Sequence, residues 1–204
     1  MIGLLLLANK VINMKLCDEE EVKLKLSKYD TSYIFLAKDR IIFLKENITK
    51  EVAAELSALL LYYDNECQSD IGIYMHCNGG DADGLVNIYD VIQMIKSPVQ
   101  TICIGKAYSA AAVLLAAGTP GRRFAFKNSK IMIHGIQCVF PVPGHDQINS
   151  KNYLRFLNKN NDNIMKMLAK HTGHTLSQIK EDCKRDLYLS AKEALDYGII
   201  DNII

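Results

Sequence analysis

The chain has almost no charge to spare: 24 lysines and arginines stand against 23 aspartates and glutamates, a net charge of +1. Binding a polyanion draws on a basic excess that releases counterions, so no nucleic-acid partner is expected. No apolar run reaches the roughly 20 residues of a membrane span, and no membrane association is expected either. The cysteines, Cys17, Cys67, Cys77, Cys103, Cys138 and Cys183, contain no CxxC pair and lie in strand- or helix-like surroundings. Free thiols in a reducing compartment are the expectation, rather than disulfides. Metal-ligand spacing is missing among the histidines; His171 and His174 read as a surface pair flanking Gly173, and no metal site is expected. The start, Met1-Ile-Gly-Leu-Leu-Leu-Leu-Ala-Asn-Lys, is apolar but lacks the basic n-region and small-residue cleavage pattern of a signal peptide, and the Arg-rich amphipathic character of a transit peptide.

What is present supports one sizeable core. With 49% hydrophobic residues in 204, the chain reads as a single domain over 33–204 after an N-terminal segment 1–32. Leu4–Leu16 resembles Tyr33–Lys45 in pattern, which suggests an extra strand related to a second one. Strand and helix patterns then alternate: strand 40–44, a Thr49-capped helix, strand 71–75, helix 84–95, strand 99–104, helix 109–117 and strand 131–133. Such alternation makes right-handed βαβ crossovers, hence an α/β fold with parallel strands covered by helices. Residues 146–170 are long, polar and helix-compatible.

One stretch carries chemistry. Gly105-Lys-Ala-Tyr-Ser109-Ala-Ala-Ala-Val-Leu-Leu puts a serine where a β-branched strand gives way to an alanine-rich helix. Exposed backbone N–H groups and the positive end of the helix dipole surround such a serine, which suits a nucleophile and a developing oxyanion. The alternative is an ordinary helix cap. Ser129-Lys-Ile-Met-Ile-His134, an apolar strand ending in histidine, and Arg185-Asp186-Leu-Tyr-Leu-Ser, an acidic residue before an apolar edge, raise the catalytic reading.

With Asp39-Arg-Ile-Ile-Phe-Leu, Ile71-Gly-Ile-Tyr-Met-His-Cys-Asn-Gly79-Gly80, Ile88-Tyr-Asp-Val-Ile and His171-Thr-Gly in the same order, the chain from about Tyr33 to Ile204 resembles the ClpP family of self-compartmentalised serine peptidases. The resemblance implies a ClpP/crotonase-like spiral of ββα units with a protruding handle helix at about 135–171. It implies Ser109 as nucleophile, His134 as general base and Asp186 as the carboxylate that orients the imidazole. Gly80 and Ala110 match the oxyanion donors, and Gly79 and Asp81 the strand that pairs with substrate. Tyr74, Met94, Ile102, Ile104, Phe124 and Phe126 match a hydrophobic docking pocket for an AAA+ Clp unfoldase. The unfoldase, not this chain, would use ATP, so no cofactor is expected. The implied partners are copies of the chain in a heptameric ring, stacked or mixed with ClpP-type subunits, and unfolded polypeptide substrates.

Departures from the family pattern point to a second reading, a ClpR-like ring subunit of weak or absent activity. The family's Asn-Ser-Pro-Gly-Gly is His76-Cys77-Asn78-Gly79-Gly80, without the stiffening proline. Tyr108 precedes the serine, and Gly135-Ile136 replaces Gln-Pro after His134, which should free the turn that holds the base. Lys184 reverses the charge of a residue in the inter-ring sensor, and Pro141 and Pro143 remove donors from the inter-ring strand, so stacking should be weak. Lysine and asparagine enrichment in a divergent sequence suggests an organelle, plastid, apicoplast or mitochondrial matrix, with a bacterial cytoplasm as the alternative.

Overall fold

The computed structural model describes residues 28–137 and 147–204. Cys17, Cys138, Pro141, Pro143 and the proposed strand at Leu4–Leu16 lie outside the described residues. Helix α1 (Lys28–Lys38) leads into strand β1 (Ile41–Leu44), helix α2 (Lys50–Glu66), β2 (Ile71–Cys77), α3 (Ala82–Met94), β3 (Val99–Tyr108) and α4 (Ala110–Ala116). Two short strands follow, β4 (Arg123–Ala125) and β5 (Lys130–Ile133). The remainder is α5 (Gln147–Thr172), α6 (Leu176–Asp182), β6 (Leu187–Ser190), α7 (Ala191–Asp196) and β7 (Asn202–Ile203). This is the mixed α/β architecture the resemblance implies, with α5 in the handle position.

The strand expected at 40–44 is β1, but the residues before it in the Tyr33–Lys45 segment are not extended: they are helical to Lys38 and turn at Arg40 (φ 61°). The Arg40 guanidinium explains the sharp turn, because it donates to the carbonyls of Tyr63, Cys67, Ser69 and Asp70 and pins the α2–β2 connection from inside. Elsewhere the expected elements are present, although β2 and β3 run on to Cys77 and Tyr108, beyond the 71–75 and 99–104 expected, and α3 starts at Ala82 rather than Gly84. Thr49 accepts the Val52 N–H at 3.2 Å to start α2, and Ser190 with Glu193 forms a capping box on α7.

The sheet runs β1-β2-β3-β4-β7, all parallel, and β5 pairs with both β3 and β6. β3 is the organising strand. Its first half pairs with β4 (Thr101 to Arg123, Cys103 to Ala125), and its last residues pair with β5 (Tyr108 to Met132). Between them the register against β2 jumps, Met75 facing Cys103 but Cys77 facing Ala107. This irregularity bends β3 towards β5. β6 then returns antiparallel to β5, with Ile133 opposite Leu187.

The core sits between this sheet and the helices. β2 is buried at five of seven positions, as parallel strands covered on both faces should be. α4 is buried all round, so its run Ala110-Ala-Ala packs against β3 and β5 without side chains to hold it off. Arg123 anchors the far edge: its guanidinium meets Asp201 at 2.5 and 2.9 Å and donates to the carbonyls of His171 and Gly198. No helix among the described residues is long and apolar enough to cross a membrane.

Candidate active site

Three chain segments converge where β3 forks. The Ser109 N–H donates to the carbonyl of Met132 at 2.7 Å, which seats the end of β3 on β5. β5 ends one residue beyond Met132, at Ile133, and delivers His134 next. Continuing the antiparallel β5–β6 register one step past Ile133 and Leu187 brings His134 opposite Asp186.

Ser109 occupies φ 55°, ψ −124°, a conformation a non-glycine residue adopts only at a cost of order 1–3 kcal/mol. The surrounding packing enforces it. Its side chain makes no capping hydrogen bond to α4, which removes the helix-cap alternative. Instead Oγ lies 2.7 Å from His134 Nε2, within the range a general base requires. On the other side of the ring, Nδ1 lies 3.5 Å from Asp186 Oδ1, outside hydrogen-bond geometry, and this buried nitrogen has no other partner among the described residues. The Asp186 carboxylate is 40% exposed, and Gln137 Nε2 approaches the same oxygen at 3.5 Å. The serine–histidine contact is thus closed and the histidine–aspartate contact loose.

The loop facing the serine approaches very closely. Gly79 (φ 91°) lies so near the Ser109 turn that a Cβ there would stand 2.6 Å from the Tyr108 carbonyl oxygen and 2.8 Å from Ser109 Cβ. Only glycine fits that position. Gly80 forms a parallel bridge with Ile48, in which the flanking residues do the bonding: Ile48 N–H donates to Gly79 and Asp81 N–H to Ile48. The N–H of Gly80 takes no part in that bridge, and Gly80 lines the cleft. Ala110 is the first residue of α4, and its N–H is free of the helix ladder. Asp81 lines the same cleft and caps α3 by accepting the Gly84 N–H at 2.8 Å.

The missing loop proline has substitutes that sequence reasoning overlooked. The buried Cys77 thiol accepts the Gly79 N–H at 3.2 Å and donates to the Glu46 carbonyl at 3.0 Å, and Asn78 Nδ2 donates to Asn47 Oδ1 at 3.2 Å. Burial pushes the Cys77 thiol up from its ordinary pKa, with hydrogen bonds from the Gly79 and Ile48 backbone opposing, so the group stays a neutral thiol. The turn after His134 is not free either. Gly135 N–H donates to the Cys183 carbonyl at 2.9 Å, and Ile136 N–H to Asn161 Oδ1 at 2.8 Å.

Together these groups open onto a cleft of about 340 Å³. Tyr153, Leu157 and Ile164 of α5 form an apolar wall that the sequence reading had not assigned to the site. Of the other residues singled out, Tyr74, Ile102 and Phe124 are register partners across β2, β3 and β4. Ile104 lies two residues further along β3, and Phe126 follows immediately after the end of β4. Phe43, overlooked earlier, extends the row by stacking on Tyr74 at 5.7 Å. Ile102 is buried, whereas Phe126 is 40% and Met94, ending α3, 65% exposed. His171 and His174 are not a surface pair: His171 is half-buried, with Nε2 2.9 Å from the Tyr89 hydroxyl, and His174 packs on Tyr197. Lys184 pairs with Glu181 of α6. Cys67, Cys77, Cys103 and Cys183 are all free thiols.

A serine on a strained strand-to-helix turn, closed against a histidine and faced closely by a Gly79-Gly80 loop, defines on this sheet a serine-type peptidase of the crotonase-like fold. Comparison with known proteins agrees, since the Clp protease family model matches residues 25–204. Two relatives from Frankia casuarinae, ATP-dependent Clp protease proteolytic subunits 3 and 2, are each 42% identical over 174 residues, covering 84% of this chain and 80% and 78% of theirs. The ATP-dependent Clp protease proteolytic subunit of Carsonella ruddii is 38% identical over 179 residues, 84% of this chain and 87% of its own. The chain belongs to the Clp protease family. The turn after His134 that the ClpR-like reading expected to be slack is held, Ser109 Oγ lies 2.7 Å from His134 Nε2, and nothing in the comparisons favours that reading.

Proposed function

We propose that this chain is the proteolytic subunit of an ATP-dependent Clp protease, cleaving unfolded polypeptides delivered by an AAA+ unfoldase. One observation carries the reading: Ser109 is held at φ 55° with its hydroxyl 2.7 Å from His134 Nε2 and not spent on capping α4.

In this mechanism His134 Nε2 takes the Ser109 proton as Oγ bonds to the scissile carbonyl carbon. The carbonyl electron pair moves onto oxygen, where the N–H groups of Gly80 and Ala110 stabilise it. Collapse of the tetrahedral centre breaks the C–N bond, and the imidazolium returns the proton to the leaving amine. Water then attacks the acyl-enzyme, giving its proton to His134, and Ser109 departs with it. Asp186 stabilises the imidazolium without taking a proton. The extended backbone at Gly79–Asp81 pairs with substrate as an added strand. The partner's ATP hydrolysis supplies unfolding, and the peptide-bond step uses only this chain's groups. Copies of the chain form the ring, and the row from Phe43 to Phe126 with Met94 offers the unfoldase an apolar surface.

Hydrolysis of a fluorogenic dipeptide, with and without an unfoldase, tests this. Ser109→Ala abolishes turnover while leaving the size of the assembly unchanged; turnover retained by Ser109→Ala contradicts the reading.

A further inference from the structure

The turn that carries the expected base is built differently from what its sequence suggests. A glycine and an isoleucine after His134 should leave it slack, yet both backbone amides are engaged. Gly135 N–H reaches the carbonyl of Cys183, the C-cap of α6, at 2.9 Å, and Ile136 N–H reaches the Asn161 side chain on α5 at 2.8 Å. The two helices are themselves joined one residue on, where Asp162 pairs with Lys180 at 2.7 Å. The donor exists only because residue 136 is not proline, which has no N–H. The fit is close as well: a Cβ on Gly135 would stand 3.2 Å from Asn161 Oδ1 and 3.4 Å from the Cys183 oxygen.

His134 needs this fastening. Its Nδ1 stands 3.5 Å from Asp186 and has no hydrogen-bond partner among the described residues, so the carboxylate does little to fix the ring. What remains to hold Nε2 at 2.7 Å from Ser109 is the backbone on either side: strand β5 before the histidine and the 135–136 turn after it.

We propose that Asn161 is a positioning residue for the peptidase reaction, holding the His134 turn through the Ile136 N–H and thereby keeping the imidazole on Ser109. It touches neither reacting atom. Its effect falls on the proton transfer, which is made only on the way to the transition state, and so on kcat rather than KM. The inference rests on the Ser109–His134 reading.

The test compares Asn161→Leu, which keeps the volume and loses the acceptor, with Asn161→Asp, which keeps the acceptor. Fluorogenic dipeptide hydrolysis is normalised to active sites by fluorophosphonate titration, so misfolded chains are not counted. Asn161→Leu is expected to lower kcat on the order of tenfold with KM within about twofold, the scale of one backbone donor left unsatisfied, and Asn161→Asp to restore most of it. Hydrogen exchange of the 135–137 amides should quicken in Asn161→Leu and stay slow in Asn161→Asp. In an Ile136→Pro background, where the donor is gone, Asn161→Leu should cause no further loss. Equal kcat and equal exchange in Asn161→Leu and the wild type overturn the inference. So does the same tenfold loss on adding Asn161→Leu to Ile136→Pro, which would assign Asn161 a general packing role. A wild-type chain that neither turns over peptide nor labels at Ser109 instead overturns the catalytic reading, and this inference with it.

Discussion

Met132 accepts the backbone N–H of Ser109 at 2.7 Å, so the strand that delivers the histidine also seats the serine. The two groups are 25 residues apart in sequence, and this one bond, with the Tyr108 to Met132 register beside it, removes most of the freedom between them. Alignment of the serine with the histidine here is a property of sheet pairing more than of side-chain contacts.

The looseness of the third member follows from the same geometry. Because His134 and Asp186 stand 3.5 Å apart while Ser109 and His134 are in contact, removing the carboxylate should cost less than removing the base. Steady-state kinetics on purified assemblies should show His134→Ala losing on the order of 10⁴-fold or more in kcat, with Asp186→Ala retaining measurably more activity. Equal losses would show that Asp186 closes onto Nδ1 when substrate binds.

Much of this was legible in the sequence. The strand before Ser109 and the histidine ending Ser129-Lys-Ile-Met-Ile-His134 carry their periodicity and end signals locally, and each became the element expected. What was missed is long-range. Asn161 supports a turn 25 residues earlier, and Cys77 supports an oxyanion loop through the carbonyl of Glu46, 31 residues before it. A cysteine or asparagine reads as a neutral substitution until the fold shows which N–H it faces. The helix through Tyr33–Lys38 went unread because its apolar run suits strand and helix alike, and the Arg40 turn separates it from β1.

Cys77 yields a test of the oxyanion loop. Its sulfur accepts the Gly79 N–H at 3.2 Å next to Gly80, the proposed oxyanion donor. Cys77→Ala should lower kcat by about 2- to 10-fold, the scale of one hydrogen bond, and Cys77→Ser should recover most of it. Peptide kinetics checks this; a Cys77→Ser variant as slow as Cys77→Ala would assign the thiol a packing role only.

His171 sets a pH dependence of stability. Burial, aided by the Lys170 and Arg123 charges, pulls its pKa from 6.5 to about 4 in the folded chain. Between those values the unfolded chain binds a proton that the folded chain does not, so this contribution is intact above pH 6.5 and is lost as pH falls towards 4. Thermal melts between pH 7 and 4 should show a fall in Tm that is shallower in His171→Gln, where nothing titrates.

The exposed ends of the apolar row bear on partner docking. Phe126→Ser and Met94→Ser should depress unfoldase-fed degradation of a folded substrate relative to dipeptide hydrolysis measured on the same protein, on the order of tenfold for loss of an apolar anchor. A ratio equal to that of the wild type would move the docking surface elsewhere.

The central claim is that Ser109 is a nucleophile activated by His134. Treating the assembled chain with a fluorophosphonate and locating the adduct by peptide mass spectrometry tests it most directly. The account predicts one adduct, on Ser109, absent from Ser109→Ala and strongly slowed in His134→Ala. An unmodified Ser109, or labelling whose rate does not change in His134→Ala, would contradict it.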